Sequence, residues 1–273
     1  MTKGRCLICR KQRCSCHMTK RDVQKLLSQT APARMTRSSG NRTAFRAGRA
    51  KRHGCKLRGV TKLLEGRVWS NGTLPRRATF GTEKKYGHWK GPSGGRRRGS
   101  AVDAQVCRLA CMGSAKRQRA KKLKLVDMVF RALEAHGLCP VMGQRVVCDA
   151  KRGLGTAIDL VCTRGDSLVL VELKTGYSGD RTIAATKGTV RSKMKPPFTT
   201  AYDTILNRHL VQLTATTAMF MKEASTLKRL TTLGVHAVES LLVYVTNEHV
   251  EIHEVADWWL KRGEKLLSVC GGR

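Results

Sequence analysis

The sequence predicts a mixed α/β domain, a central sheet flanked by helices, behind a basic N-terminal arm. Three observations carry the prediction. From about residue 96 onward, apolar spacing switches between helical and strand periods in the order ααβββαββα. Three runs of strand length, "VMGQRVVCD" (141–149), "TAIDLVCT" (156–163) and "SLVLVELKT" (167–175), follow one another closely. Charge is unevenly divided: residues 1–100 hold 27 Lys/Arg against 3 Asp/Glu, whereas residues 101–273 hold 26 against 16.

Residues 1–95 are rich in Gly, Arg, Lys, Ser and Thr, with only short apolar islands. Such a stretch buries too little to offset its ordering entropy, so a largely disordered arm is expected. Its cations call for a polyanion, and nucleic acid fits better than a membrane surface because no amphipathic helix or lipidation signal accompanies them. The run "RAGRAKRH" reads as a phosphate-binding appendage or as a localisation signal, nuclear in a eukaryotic or viral host. No apolar run reaches about 18 residues and none opens the chain, so neither a membrane helix nor secretion is expected. Eleven cysteines, five of them (Cys107, Cys111, Cys139, Cys148 and Cys162) in apolar or mixed segments, read as free buried thiols of a reducing, intracellular compartment.

The domain, residues 96–273, begins after a flexible hinge expected at "GPSGGRRRGS" (91–100). A helix is expected over about 100–112. A second is expected over about 116–135, with Leu123, Val126, Phe130 and Leu133 on one face and a basic opposite side. Gly137 and Pro140 stop it. After the three strands comes a long basic connection, 177–198, then a helix over 199–223 built on Tyr202, Leu206, Leu210, Leu213 and Phe220. Strands "SLLVYVT" and "VEIHEV" surround Asn247 and Glu248, and a closing helix carries Trp258 and Trp259, one expected in the core and one partly exposed.

The chemistry centres on "VELKTG", where Glu172 and Lys174 interrupt an apolar strand. A two-residue turn at Gly165 and Asp166 places Val161 opposite Leu170 and Asp159 opposite Glu172. Opposed carboxylates repel, and Lys174 projects from the same face as Glu172. A hard divalent cation held by the two carboxylates, with the ammonium alongside, resolves the conflict. Metal-assisted hydrolysis follows from such a set, with Lys174 orienting water or stabilising charge.

An Asp at a strand end, a hairpin turn and then "VELKTG" resembles the core signature of the PD-(D/E)XK nuclease superfamily, with Ile158 where the formal name has proline. The resemblance implies a restriction-endonuclease-like core, with metal held by Asp159, Glu172 and the carbonyl of Leu173, and Lys174 catalytic. "RGSAVDAQV" and "HLVQLTATT" are similar to two stretches of the RecB-like exonuclease branch. Asp103 stands where that branch has a metal-binding His, and Gln212 where it has a Gln that touches the site. Thr216 replaces the expected Tyr, and His209, Gln212 and Thr216 share one helical face. The spelling is also similar to nuclear, nuclease-like proteins of herpesviruses and other large DNA viruses. The activity implied is a Mg²⁺- or Mn²⁺-dependent nuclease acting on DNA, exonuclease before endonuclease, within replication, repair or packaging machinery. The alternative is a non-catalytic nucleic-acid-binding or packaging protein on a degenerate nuclease fold, and RNA remains an open substrate.

Other motifs are secondary. Cys6, Cys9 and Cys14 have zinc-knuckle spacing, with His17 a fourth candidate Zn²⁺ ligand. Arg96, Arg97 and Arg98, with Arg181, Lys187, Arg191, Lys193 and Lys195 of the long connection, are expected to track a nucleic-acid backbone. "RGD" at 164–166 reads as a turn.

Overall fold

The structure, a computed structural model, describes residues 19–31, 33–37, 43–47, 56–70, 94–176 and 192–271. For 33–37, 43–47, Lys56, Gly94 and Arg96 only the backbone is described. Of the strands expected around the hairpin, β4 (Cys139–Asp149) and β5 (Leu154–Arg164) extend by a residue or two at an end, and β6 (Ser167–Thr175) has the expected bounds. Gly165 turns the chain at φ 58°, a left-handed conformation that glycine adopts without steric cost. The register is the expected one at Val161 opposite Leu170 and Leu160 opposite Val171, but the ladder ends there, so the expected Asp159–Glu172 pair is not part of it.

Five further strands complete a mixed eight-stranded sheet. These are β1 (Ala33–Arg37), β2 (Thr43–Ala47), β3 (Lys56–Gly59), β7 (Ala237–Val245) and β8 (Val250–Glu254). The order is β1-β2-β3-β5-β6-β7-β8, with β4 also against β5; the β3–β5 and β6–β7 pairs are parallel and the rest antiparallel. Strand β5 meets β3 at Leu154 and Gly155, and meets β6 from Leu160 onward. Residues 156–159 lie between those two pairings, so Asp159 stands where the strands part.

Helices cover both faces. One is packed by α3 (Gly94–Ala110) and α5 (Lys124–Ala135), through Val102, Val106, Val126 and Leu133 against Leu160, Val169, Val171 and Val243. The other carries α1 (Lys20–Gln29), α2 (Val60–Arg67), α6 (Ile205–Met221), α7 (Ala224–Thr232), α8 (Asp257–Leu260) and α9 (Gly263–Gly271) over Ile158, Leu168, Leu170 and Leu242. Burial on both faces explains why β6 begins as an unbroken apolar run.

The disordered-arm expectation fails for strands β1, β2 and β3, which join the sheet, and for helices α1 and α2. In α1, Val23, Leu26 and Leu27 fall at i, i+3 and i+4 and are buried in the main core, with Thr19 capping the helix at the Asp22 amide. Val60, Leu64, Val68 and Trp69 are buried there as well. Each such side chain contributes roughly 1.5–3 kcal/mol by burial, enough to order two short helices whose composition alone does not. The folded body therefore includes described parts of 1–95.

Other boundaries moved for identifiable reasons. The expected hinge at 91–100 is helical from Gly94, because Gly99 lies against the end of β6, where an added Cβ would sit 3.0 Å from Thr175 Oγ1. The expected helix over 116–135 is two, α4 (Ser114–Arg119) and α5, because Gln105 captures the connection. Its Oε1 accepts from the Leu123 amide at 2.7 Å and its Nε2 donates to the Lys121 carbonyl at 3.5 Å. Helix α6 starts only at Ile205, capped by Thr204, so Tyr202 lies outside it and is exposed; α7 was not expected. Trp259 is buried and Trp258 half-buried, as expected. Cys162 is buried, but Cys111 and Cys139 are exposed, because both lie at element ends rather than inside them.

A buried ion pair anchors the start of α6. Arg208 donates from Nε to Asp203 Oδ1 at 2.5 Å and from Nη2 to Oδ2 at 2.8 Å, and Ser70 adds its amide and hydroxyl at 2.9 and 2.7 Å. Burial alone would raise the Asp203 carboxyl, but these hydrogen bonds outweigh it and hold the group below its ordinary value. Its stabilisation is complete above the unfolded carboxyl's pKa of about 3.9 and is lost as pH falls through the lower folded value. Asp203→Asn is expected to lower stability by about 3 kcal/mol near neutrality. Its denaturant midpoint should also fall less between pH 6 and pH 2.5 than that of the natural chain.

At Gly143, an added Cβ would lie 2.5 Å from the Cys107 Cα, a backbone atom that cannot swing aside. Gly143→Ala is expected to cost about 1–3 kcal/mol, read as a lower melting temperature, and to push α3 away from β4.

Candidate functional site

The site forms where β5 leaves β6. Beyond the Leu160–Val171 pair the ladder stops, and the freed Leu173 amide donates instead to Asp159 Oδ2 at 2.9 Å. Asp159 thus replaces a strand partner with its own side chain, which fixes the carboxylate at the fork. Glu172 comes from β6 on the face shared with Leu168 and Leu170, and is only 2% exposed.

Such burial is costly for a carboxylate unless it is paired and hydrogen-bonded. Lys174, two residues on and so on the same face, donates from Nζ to Glu172 Oε1. Gln212 on α6 closes a triangle: its Nε2 donates to the same Oε1 at 2.5 Å, and its Oε1 accepts from Lys174 Nζ at 3.2 Å. The fold thus brings Glu172, Lys174 and Gln212 into direct contact, with Asp159 held beside them by the Leu173 amide.

Asp103 reaches the group from the opposite helical layer. Its Oδ2 accepts from Gln144 Nε2 at 2.8 Å, and its negative charge is felt at Asp159. Burial and then the charge of Glu172 push the Asp159 carboxyl well above its ordinary value, with Asp103 adding to the rise; Lys174 and the Leu173 amide oppose it. An excess of negative charge therefore converges on Asp159.

Hard oxygen donors with surplus negative charge suit Mg²⁺ or Mn²⁺. Oδ2 of Asp159 and Oε1 of Glu172 are the oxygens engaged by the hydrogen bonds above. No group of three His, Cys, Asp or Glu side chains among the described residues is arranged to hold a metal. The set expected from the sequence has two carboxylates and the Leu173 carbonyl, with Asp103 as an addition.

Three residues of this neighbourhood escaped the sequence reading. Gln144 has φ 51°, the one positive φ outside glycine among the described residues, and it holds Asp103. Its signal was "MGQR", where the apolar alternation of β4 breaks. Tyr244 on β7 stands beside Lys174 in parallel register, and its hydroxyl pairs with His209 Nδ1 at 2.8 Å. Tyr244 had no signal, because its register depends on the long β6–β7 crossover. Arg145, adjacent to Gln144, is buried against Glu223 with Nη2 to Oε2 at 2.6 Å, which anchors this part of β4.

The remaining expected residues are dispersed. Thr216 donates to the carbonyl of Gln212 at 3.0 Å within its own helix. Arg98 is a correction: it is 3% exposed and donates to Asn247 Oδ1 at 3.0 Å, so it braces α3 against the β7–β8 turn rather than facing a ligand. Arg97 is exposed, and the side chain of Arg96 lies outside the described residues. Lys193 and Lys195 are both exposed, the latter reaching the Gly66 carbonyl at 3.5 Å. Arg181, Lys187 and Arg191, with the zinc candidates Cys6, Cys9, Cys14 and His17, lie outside the described residues.

The sign of the Asp159 shift gives a test. A folded carboxyl raised above its unfolded value costs stability as pH rises from the unfolded pKa toward the folded one. Asp159→Asn preserves an acceptor for the Leu173 amide and removes the charge. In chelator its melting temperature should match the natural chain near pH 4 and exceed it at pH 8, by about 2–4 °C per kcal/mol relieved.

No protein-family model matches the chain, and no curated protein matches it in sequence.

Proposed function

We propose that the chain is a metal-dependent nuclease that hydrolyses phosphodiester bonds, in DNA first of all, on a restriction-endonuclease-like domain of the PD-(D/E)XK kind. The observation that carries this reading is the buried Glu172, bridged by Lys174 and Gln212 and set beside Asp159 at the strand fork. A structural ion pair would not need a second carboxylate at that point, whereas phosphoryl chemistry needs carboxylates, a cation and a positioned amine together. The preference for exonuclease action rests on the sequence resemblance alone.

Asp159 and Glu172 would hold the Mg²⁺ or Mn²⁺, with the Leu173 carbonyl and Asp103 as further donors. The ion supplies positive charge at the scissile phosphate and acidifies water beside it. The chain's own residues do the rest. Gln212 holds Lys174 and Glu172 in fixed relation, so neither must reorganise when substrate arrives. Lys174 donates hydrogen bonds to the attacking water or to the phosphate oxygens as charge builds. Water attacks phosphorus in line, the opposite P–O bond breaks, and the departing oxygen takes a proton.

A second reading is favoured by Asp103 and Thr216. Both depart from the residues the resemblance expects there; one Asp103 oxygen is taken by Gln144, and Thr216 is bound to its own helix. On that reading the fold only holds nucleic acid.

One experiment separates the two. Linear and closed-circular DNA are incubated with the protein in Mg²⁺ or in chelator, beside Lys174→Ala. The nuclease reading expects metal-dependent cleavage, reduced about 10²–10³-fold by Lys174→Ala, with loss of the circle marking endonuclease action. Intact DNA of both forms, bound equally by both proteins in chelator, would replace it with the binding role.

A further inference from the structure

We infer that the corner between α4 and α5, residues 114–131, is a docking surface for the phosphate backbone of nucleic acid, separate from the carboxylate site. The inference shares with the nuclease reading only the polyanionic partner. Between Asp103 and Asp127 the chain has no acidic residue and seven Lys/Arg. Four of them, Lys116, Arg119, Lys121 and Lys124, are exposed and make no ion pair among the described residues.

Their placement is not that of an ordinary solvated face. A continuous helix would disperse these cations around its circumference. Here the chain is extended at Ala120 and Leu123, and Gln105 pins the connection to α3 through Leu123 and Lys121. The segment is thus a braced ridge rather than a loose loop. Lys121, Lys122 and Lys124 also crowd the N-terminus of α5, the positive end of the helix dipole, where cations are disfavoured. That helix has no side-chain cap, so its first amides add donors facing the same way. An anion relieves both faults at once.

A cavity of about 540 Å³ opens at the foot of the ridge, lined by Arg117, Lys122, Phe130 and Arg131, with Asp127 and Glu134 at its side. Asp127 is paired with Lys122 at 3.5 Å and Arg131 at 2.9 Å. Arg117 lies over Phe130, 5.1 Å from the ring centre, and its Nη1 is buried with no hydrogen-bond partner among the described residues. Arg117 and Arg131 both line the cavity, and guanidinium groups bind phosphate oxygens through charge-assisted hydrogen bonds. The volume accommodates one nucleotide of a strand lying along the ridge.

The test measures binding in chelator, so it does not depend on cleavage. Fluorescence anisotropy of a 20-base-pair duplex is followed across a KCl series for the full chain. It is repeated for the triple variant K116A/R119A/K121A and for K228A/K261A/K265A, which removes equal charge from exposed positions of the other helical layer. Unchanged melting temperatures establish that each variant folds. The slope of log affinity against log salt should fall by about 2.7 for the first triple, about 0.9 for each phosphate no longer neutralised, and by less than about 1 for the second. Equal slopes for the two triples would overturn the inference. So would unchanged duplex binding together with weakened binding to poly-glutamate, which would assign the ridge to an acidic protein instead.

Discussion

The buried charge of Glu172 is the constraint around which the described domain is arranged. A carboxylate in a sheet covered by helices on both faces survives only with donors built into the same space. Lys174 supplies one because strand alternation returns every second residue to the same face. Gln212 supplies the other, and it does so only because α6 is laid across β6 with this turn downward. The placement of α6 in turn depends on the Asp203–Arg208 pair at its start and on the N-terminal segment, through Ser70 and Trp69, that closes over that pair. The geometry at the fork is thereby tied to residues far away in the chain.

Two glycines set how closely the opposite layer approaches. Helix α3 meets β4 at Gly143, where there is no room for a Cβ, and the end of β6 at Gly99, where a Cβ would make a tight contact with Thr175 Oγ1. These close approaches bring Asp103 to Gln144, whose positive φ is a local departure from strand geometry kept beside the carboxylates. Departures from backbone preference concentrate at functional places because the surrounding packing must sustain them. The same holds for the α4–α5 corner, where lysines crowd the wrong end of a helix and a buried guanidinium atom lacks an acceptor among the described residues.

The hairpin was legible because its rules are short-range. A two-residue turn fixes register, register fixes which side chains are opposed, and alternation fixes their face. Asp159, Glu172 and Lys174 could therefore be placed together from spacing alone. Gln212 was reached only through resemblance, since nothing in its helix sets its rotation toward Glu172. The described parts of the basic arm were misread for a related reason. Val23, Leu26 and Leu27 are too few to bury themselves, and their partners lie on β4 and α7, more than a hundred residues away.

The sequence by itself determined the α/β character, the turn and register of the β5–β6 hairpin, and the cationic excess of the chain. The tertiary structure alone decided that part of the N-terminal region joins the core. It also decided that Arg98 is buried, that β5 parts from β6 beside Asp159, and that Gln105 breaks the basic helix into a ridge. The division is physical: periodicity and turns act over a few residues, whereas burial, close approach and side-chain capture depend on which distant segments the folded chain brings together.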